Sequence, residues 1–150
     1  MTTNAAVINL KADIDGAQAN AGAGTGSSGT GLGLMEFDDV TKILSWNISW
    51  SGLTGTETVA HFHGPGAPGV NAPAIVTIDH TMNPSTGSSS PLTTGQESDL
   101  LSGLWYINIH STFAPGGEIR GQVEVVPIPA AAWLFGSGLL LLAGIIRRRI

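Results

Sequence analysis

Three of the four histidines in this chain fall in two short stretches whose spacing suits metal chemistry. "TVAHFHGPGAPG", residues 58 to 69, carries His61 and His63, and "LWYINIHS", residues 104 to 111, carries His110. Side chains alternate across a strand, so His61 and His63 share one face while Ala60 and Phe62 take the other. In the second stretch Trp105, Ile107 and Ile109 form the apolar side, leaving Tyr106, Asn108 and His110 opposite. A third stretch, "GEIRGQVEV", sets Ile119, Gly121 and Val123 against Glu118, Arg120 and Gln122. If the three strands are neighbours, their polar sides merge into one patch of His61, His63, Tyr106, Asn108, His110, Glu118 and Arg120.

Two chemistries are open to such a patch. Three imidazoles on one face can ligate a transition metal, with copper and zinc the natural choices. Alternatively, Glu118 and Arg120 bridge to the histidines and Asn108, forming a satisfied polar network that fixes sheet register. A core-facing set of this composition is costly unless every member finds a partner. Catalysis has little support, because no cysteine is present and no serine or paired carboxylate stands in a nucleophile context. "GPGAPG" is a loop and no phosphate cradle, since no Lys-Ser/Thr follows it. His80 stands apart near a loop and is left out of the set.

The elements that must position these residues read as strands. "AAVINLKAD", "GTGLGLMEFDD", "KILSWNISWSGL", "TETVAHFHG", "APAIVTIDH", "LWYINIHS" and "GEIRGQVEVV" are short apolar or alternating runs separated by Gly, Ser, Thr and Pro. The third is the clearest, with Leu44, Trp46, Ile48 and Trp50 on one face. "NAGAGTGSSGTG" and "NPSTGSSSPLTTG" read as surface loops, and "GQESDLLSG" as a short helical turn. The pattern predicts an all-β domain over residues 1–126, an antiparallel β-sandwich of about seven to nine strands with Greek-key-like connections. Its 21 glycines fit a turn-rich chain of 150 residues, and the lack of cysteine excludes disulfides and thiolate metal sites.

Residues 127–150 are different in kind. From Ala130 to Ile146 run seventeen residues without a charge, followed by Arg147, Arg148 and Arg149. Seventeen is the short end of a membrane-spanning helix, and the arginines are a membrane stop that places the C-terminus in the cytoplasm and the domain across the membrane. Before that tail, Lys11, Lys42 and Arg120 face all eleven acids, a balance of −8, which argues against nucleic-acid binding. "MTTNAAVINLKADIDG" lacks a basic, then apolar leader, so the expectation is that an export signal precedes this sequence.

Two resemblances follow. "VPIPAAAWLFGSGLLLLAGIIRRRI" resembles a PEP-CTERM-type sorting tail of the Val-Pro-x-Pro variant, with Val126, Pro127 and Pro129 as the sorting motif and Ile128 where the usual tail has glutamate. That resemblance implies export, an inner-membrane intermediate and cleavage by an exosortase-type enzyme. It also implies release or attachment at the cell surface, often with exopolysaccharide. Across roughly residues 7 to 125, the wording His-x-His-Gly-Pro, Tyr-x-Asn-x-His and Pro-Gly-Gly-Glu-Ile-Arg-Gly-Gln is similar to the CHRD (chordin-type) domain. In this chain those motifs are His61 to Pro65, Tyr106 to His110 and Pro115 to Gln122. The resemblance implies an extracellular β-sandwich module and supplies no enzyme activity, and the expectation is an exported, non-enzymatic surface protein acting in matrix or envelope adhesion. The rival expectation is a copper- or zinc-binding sandwich, either a metal store or an enzyme. Two imidazoles from one strand and one from its neighbour are similar to the arrangement in Cu/Zn superoxide dismutase. The further histidines and aspartate of that enzyme's second metal have no counterparts here.

Overall fold

The structure, a computed structural model, describes residues 6–127. It is all-β and antiparallel, with nine strands: β1 (Val7–Asp15), β2 (Thr30–Asp38), β3 (Leu44–Ser51), β4 (Glu57–His63), β5 (Ala74–Ile78), β6 (Ser85–Ser88), β7 (Tyr106–Ser111), β8 (Ile119–Gln122) and β9 (Glu124–Val125). One helix, α1 (Thr94–Leu101), lies between β6 and β7. The strands pair in the order β5-β4-β7-β8-β1-β2-β3-β6, with β9 added to β1. The non-consecutive pairings β3–β6 and β4–β7 supply the crossovers expected of a Greek-key-like chain.

The expected antiparallel β-sandwich is built from one sheet that folds over on itself and nearly closes, as in a barrel. Its two halves are seamed where β1 meets β8 through the single pair Asp15↔Arg120, and where β9 continues onto Leu10 and Lys11. The opposite side stays open, as a cleft of about 440 Å³ between β5 and β6 lined by Ile75, Val76, Thr77, Thr86 and Ser88. Between the halves, Trp46 of β3 meets Phe62 of β4 edge-on at 5.2 Å, and Phe62 meets Trp105 at 6.1 Å. Hydrophobic burial of these rings and of Leu10, Phe37, Leu44, Ile48, Ile78, Ile107, Ile109 and Ile119 is the main cohesive term.

Alternation explains which face each strand buries. β3 turns Leu44, Trp46, Ile48 and Trp50 inward and Ser45, Asn47 and Ser49 outward. β2 is less obvious, because its two leucines point out: Leu32 and Leu34 are exposed, while Met35 and Phe37 are buried. Gly31 and Gly33 are the reason. A Cβ at Gly31 would lie 3.2 Å from Trp50, and one at Gly33 would lie 2.7 Å from Ile107 of the facing half. The inward glycines leave room for those larger side chains.

Two local expectations change. β6 lies inside the stretch read as a loop, since "STGS" has no apolar alternation to reveal it. Gly87 pairs with Trp46, and a Cβ there would meet the indole at 2.7 Å, so the strand docks through its lack of a side chain. The helical turn exists, as α1, and Thr93 caps it through a capping box with Gln96. Lys42 anchors the helix by an ion pair to Glu97 at 2.7 Å. No helix among the described residues is long and apolar enough to cross a membrane. The expected membrane helix, Pro129 and Arg147 to Arg149 lie outside the described residues, whereas Val126 is seen donating its N–H to the Asn9 carbonyl at 2.8 Å.

Candidate metal centre

β4 and β7 are antiparallel neighbours, and their register decides what meets on the polar side. His61 pairs with Asn108, His63 with Tyr106, and Val59 with His110. Ala60, Phe62, Ile107 and Ile109 are fully buried on the other side, which locks the parity of both strands. His110 thus sits diagonally beside His61. The three rings meet with centroids 5.6 Å apart for His61–His63, 5.5 Å for His61–His110 and 5.8 Å for His63–His110. One ring nitrogen of each lies within 4.8 Å of those of the other two. Tetrahedral ligation with bonds of about 2.0–2.1 Å requires nitrogens roughly 3.3 Å apart, so small side-chain rotations would close the set on an ion.

The far side of two rings is already fixed. His63 Nδ1 hydrogen-bonds the Ala72 carbonyl at 2.8 Å, and His110 Nδ1 the Pro115 carbonyl at 2.8 Å. Because a carbonyl only accepts, both Nδ1 atoms carry the proton and both Nε2 atoms present a lone pair. Backbone carbonyls behind imidazoles are the usual outer support of a metal-binding histidine. His63 Nε2, across the ring from its anchored Nδ1, and His61 Nδ1 are shut off from solvent and have no hydrogen-bond partner among the described residues. His110 Nε2 has only the Asn108 amide nitrogen, at 3.3 Å. A satisfied network would not leave two such atoms orphaned.

Electrostatics also favours neutral rings. Burial, then the nearby His110 and His80, lowers the pKa of His61. Burial is likewise the main cause lowering that of His63, against the upward pull of its bond to Ala72. A neutral imidazole is the form that binds metal. His80 influences His61 only through charge and is not in the cluster.

Tyr106 and Arg120 stand behind His63. The Tyr106 ring stacks on His63 at 5.0 Å and 14°, and the Arg120 guanidinium lies 3.4 Å over the Tyr106 ring. The Tyr106 hydroxyl accepts from the Ala72 N–H at 2.9 Å, so the residue that orients His63 is itself held by Tyr106. Asn108 donates to the Gly116 carbonyl at 3.1 Å.

A family model for the CHRD domain matches residues 10–123, a span that includes every residue of this cluster. The chain belongs to the CHRD domain family. No curated protein matches it.

One residue expected in the CHRD domain's histidine patch lies elsewhere. Glu118 makes no bond to a histidine or to Arg120; its fully buried carboxylate accepts from the Ser27 and Ser111 hydroxyls and from the N–H groups of Thr54 and Gly55. Gly117, at φ +123°, turns the chain just before it, so the strand alternation that groups Glu118 with Arg120 begins only at Ile119. Burial pushes this carboxyl upward, but the bonds from Ser111, Ser27, Thr54 and Gly55 outweigh it and hold it at about 2. Sequence reasoning missed these loop partners and the carbonyls of Ala72 and Pro115, because backbone groups leave no residue-type signal.

Gly117 is required twice over. A Cβ there would fall 2.1 Å from Asn108 Oδ1, in a backbone conformation that L side chains rarely adopt. Gly117→Ala is expected to destabilise the fold by more than ~2 kcal/mol. A double-mutant cycle with Asn108→Ser, read by urea melts, should return the part due to the clash, and strict additivity would show that only φ matters.

Proposed function

We propose that this CHRD-module protein is an exported, cell-surface metal-binding protein, holding one copper or zinc ion through His61, His63 and His110. The observation that carries the reading is the pair of buried ring nitrogens without partners, beside two imidazoles whose Nδ1–H groups are backed by carbonyls. A binding role is preferred to catalysis, because among the described residues no carboxylate joins the imidazoles in the cluster. Equilibrating the full chain with copper or zinc, then desalting and measuring metal content, should give one ion per chain. At a hundredfold excess over Kd the ion should raise stability by about 2.7 kcal/mol. Metal content near zero, or a content unchanged in His110→Ala, would defeat the reading.

The delivery route rests on the tail. In this reading the chain passes through an inner-membrane intermediate with its C-terminus in the cytoplasm. An exosortase-type enzyme then processes it near Val126, Pro127 and Pro129. The domain acts at the surface or in the matrix, with exopolysaccharide or surface proteins as partners. Its acidic balance supports the absence of nucleic acid from that set. Replacing Pro127 and Pro129 with alanine, in a chain given an export signal, should block processing and leave the protein in the membrane. Unchanged release would mean that an ordinary protease cuts the tail.

A further inference from the structure

Arg120 is a buried charge without an obvious purpose. It is 2% exposed, and among the described residues it has no carboxylate partner. Its Nη2 donates to the Ala67 carbonyl and to Gln122 Oε1, both at 3.2 Å, while Nη1 has no partner among the described residues. Guanidinium stays protonated in proteins, so a full positive charge is held here. β8 and β4 flank β7 on opposite sides, and the Tyr106 ring of β7 contacts both Arg120 and His63. The guanidinium is 3.4 Å from the Tyr106 centroid, and that centroid is 5.0 Å from His63. The charge therefore stands no farther than about 8 Å from the His63 ring, close enough for a poorly screened Coulomb interaction.

The histidine cluster contributes no compensating charge. Imidazole ligates a metal without contributing negative charge, and no carboxylate joins the group among the described residues. A divalent ion would bring two positive charges toward a fixed third, in a half-buried site with little screening. A monovalent ion halves that repulsion. Zinc, moreover, would need a water as its fourth ligand beside ring nitrogens shut off from solvent, whereas a cuprous ion accepts three imidazoles alone.

From this, and resting on the metal-centre reading above, we infer that the centre selects copper in its cuprous state, and that Arg120 is the positioning charge that sets this preference. Three affinities of the full chain would be compared: copper(I) against bicinchoninate under ascorbate without oxygen, and copper(II) and zinc(II) each against a chelator of known strength. The expected order places copper(I) tightest, with a midpoint potential above that of aqueous copper. Arg120→Met should lower the copper(I)-to-copper(II) affinity ratio about tenfold, equivalent to ~59 mV for one electron. Arg120→Lys, which keeps the charge, should hold most of the wild-type ratio. A packing role for Arg120 would weaken both oxidation states together and leave the ratio unmoved. Wild-type preference for copper(II) or zinc, or an unmoved ratio in a folded Arg120→Met chain, would overturn the inference while sparing the centre. Should Arg120→Met fail to fold, the wild-type order and Arg120→Lys still decide it. Failure to bind any of the three ions would instead overturn the centre, and this inference with it.

Discussion

A Glu118→Ala chain is expected to lose about 3–5 kcal/mol of folding stability at neutral pH. Several buried donors are each left without an acceptor at ~1–3 kcal/mol apiece, partly offset by no longer burying a charge. The carboxylate accepts from four donors on three separate segments: Ser27 before β2, Thr54 and Gly55 between β3 and β4, and Ser111 at the end of β7. Deleting it leaves two backbone N–H groups and two hydroxyls without their acceptor, and charge-assisted bonds are the stronger kind. Thr25 adds a bond from its hydroxyl to the Glu118 carbonyl at 2.8 Å, so the glycine-rich stretch before β2 depends on this one residue twice.

The same carboxylate gives the protein an acid limit. Its folded pKa of about 2 lies below the ordinary value of 4.5, so the stabilisation is complete above 4.5 and is lost as pH falls toward 2. Asp38, held low mainly by the Thr41 N–H, and Asp79, held low mainly by the Thr81 hydroxyl, act in the same direction from the exposed surface. Urea midpoints at pH 7 and pH 3 should differ strongly for the wild type and much less for Glu118→Gln. Equal differences in the two proteins would show that Glu118 is not the acid-sensitive group.

That the sequence groups Glu118 with the wrong neighbours has a physical reason. Periodicity fixes the face of a residue only inside a regular strand, and Glu118 stands just outside one, behind a left-handed glycine. Within strands the reading was sound: the alternation of "HFH" and "YINIH" placed His61, His63 and His110 on one side, and the pairing of β4 with β7 then brought them together. β6 failed for the opposite reason. Its four residues dock by offering a glycine to an indole, a fit that no hydrophobic pattern records.

Changing His61 to leucine should separate ligand from scaffold more sharply than any other single substitution. In the metal-free chain His61 Nδ1 is a buried nitrogen with no bond to lose, so leucine of similar bulk removes an unpaired polar atom. Apo stability at pH 7 should move by less than ~1 kcal/mol, and an increase is the favoured direction. The pH dependence has a definite sign. Burial lowers the folded pKa of His61 below its ordinary 6.5, so the unfolded chain takes up the proton first and stability falls as pH drops below that value. His61→Leu removes this share, and its apo chain should lose less stability than the wild type between pH 7 and pH 5. With copper supplied at a hundredfold excess over the wild-type Kd, the order reverses. The wild type gains about 2.7 kcal/mol and the variant, left with two ligands, gains little. Thermal melts at the two pH values, each with and without copper, contain the whole test. A variant weakened by ~1–3 kcal/mol without metal, alongside a wild type indifferent to copper, would make the three histidines part of the scaffold.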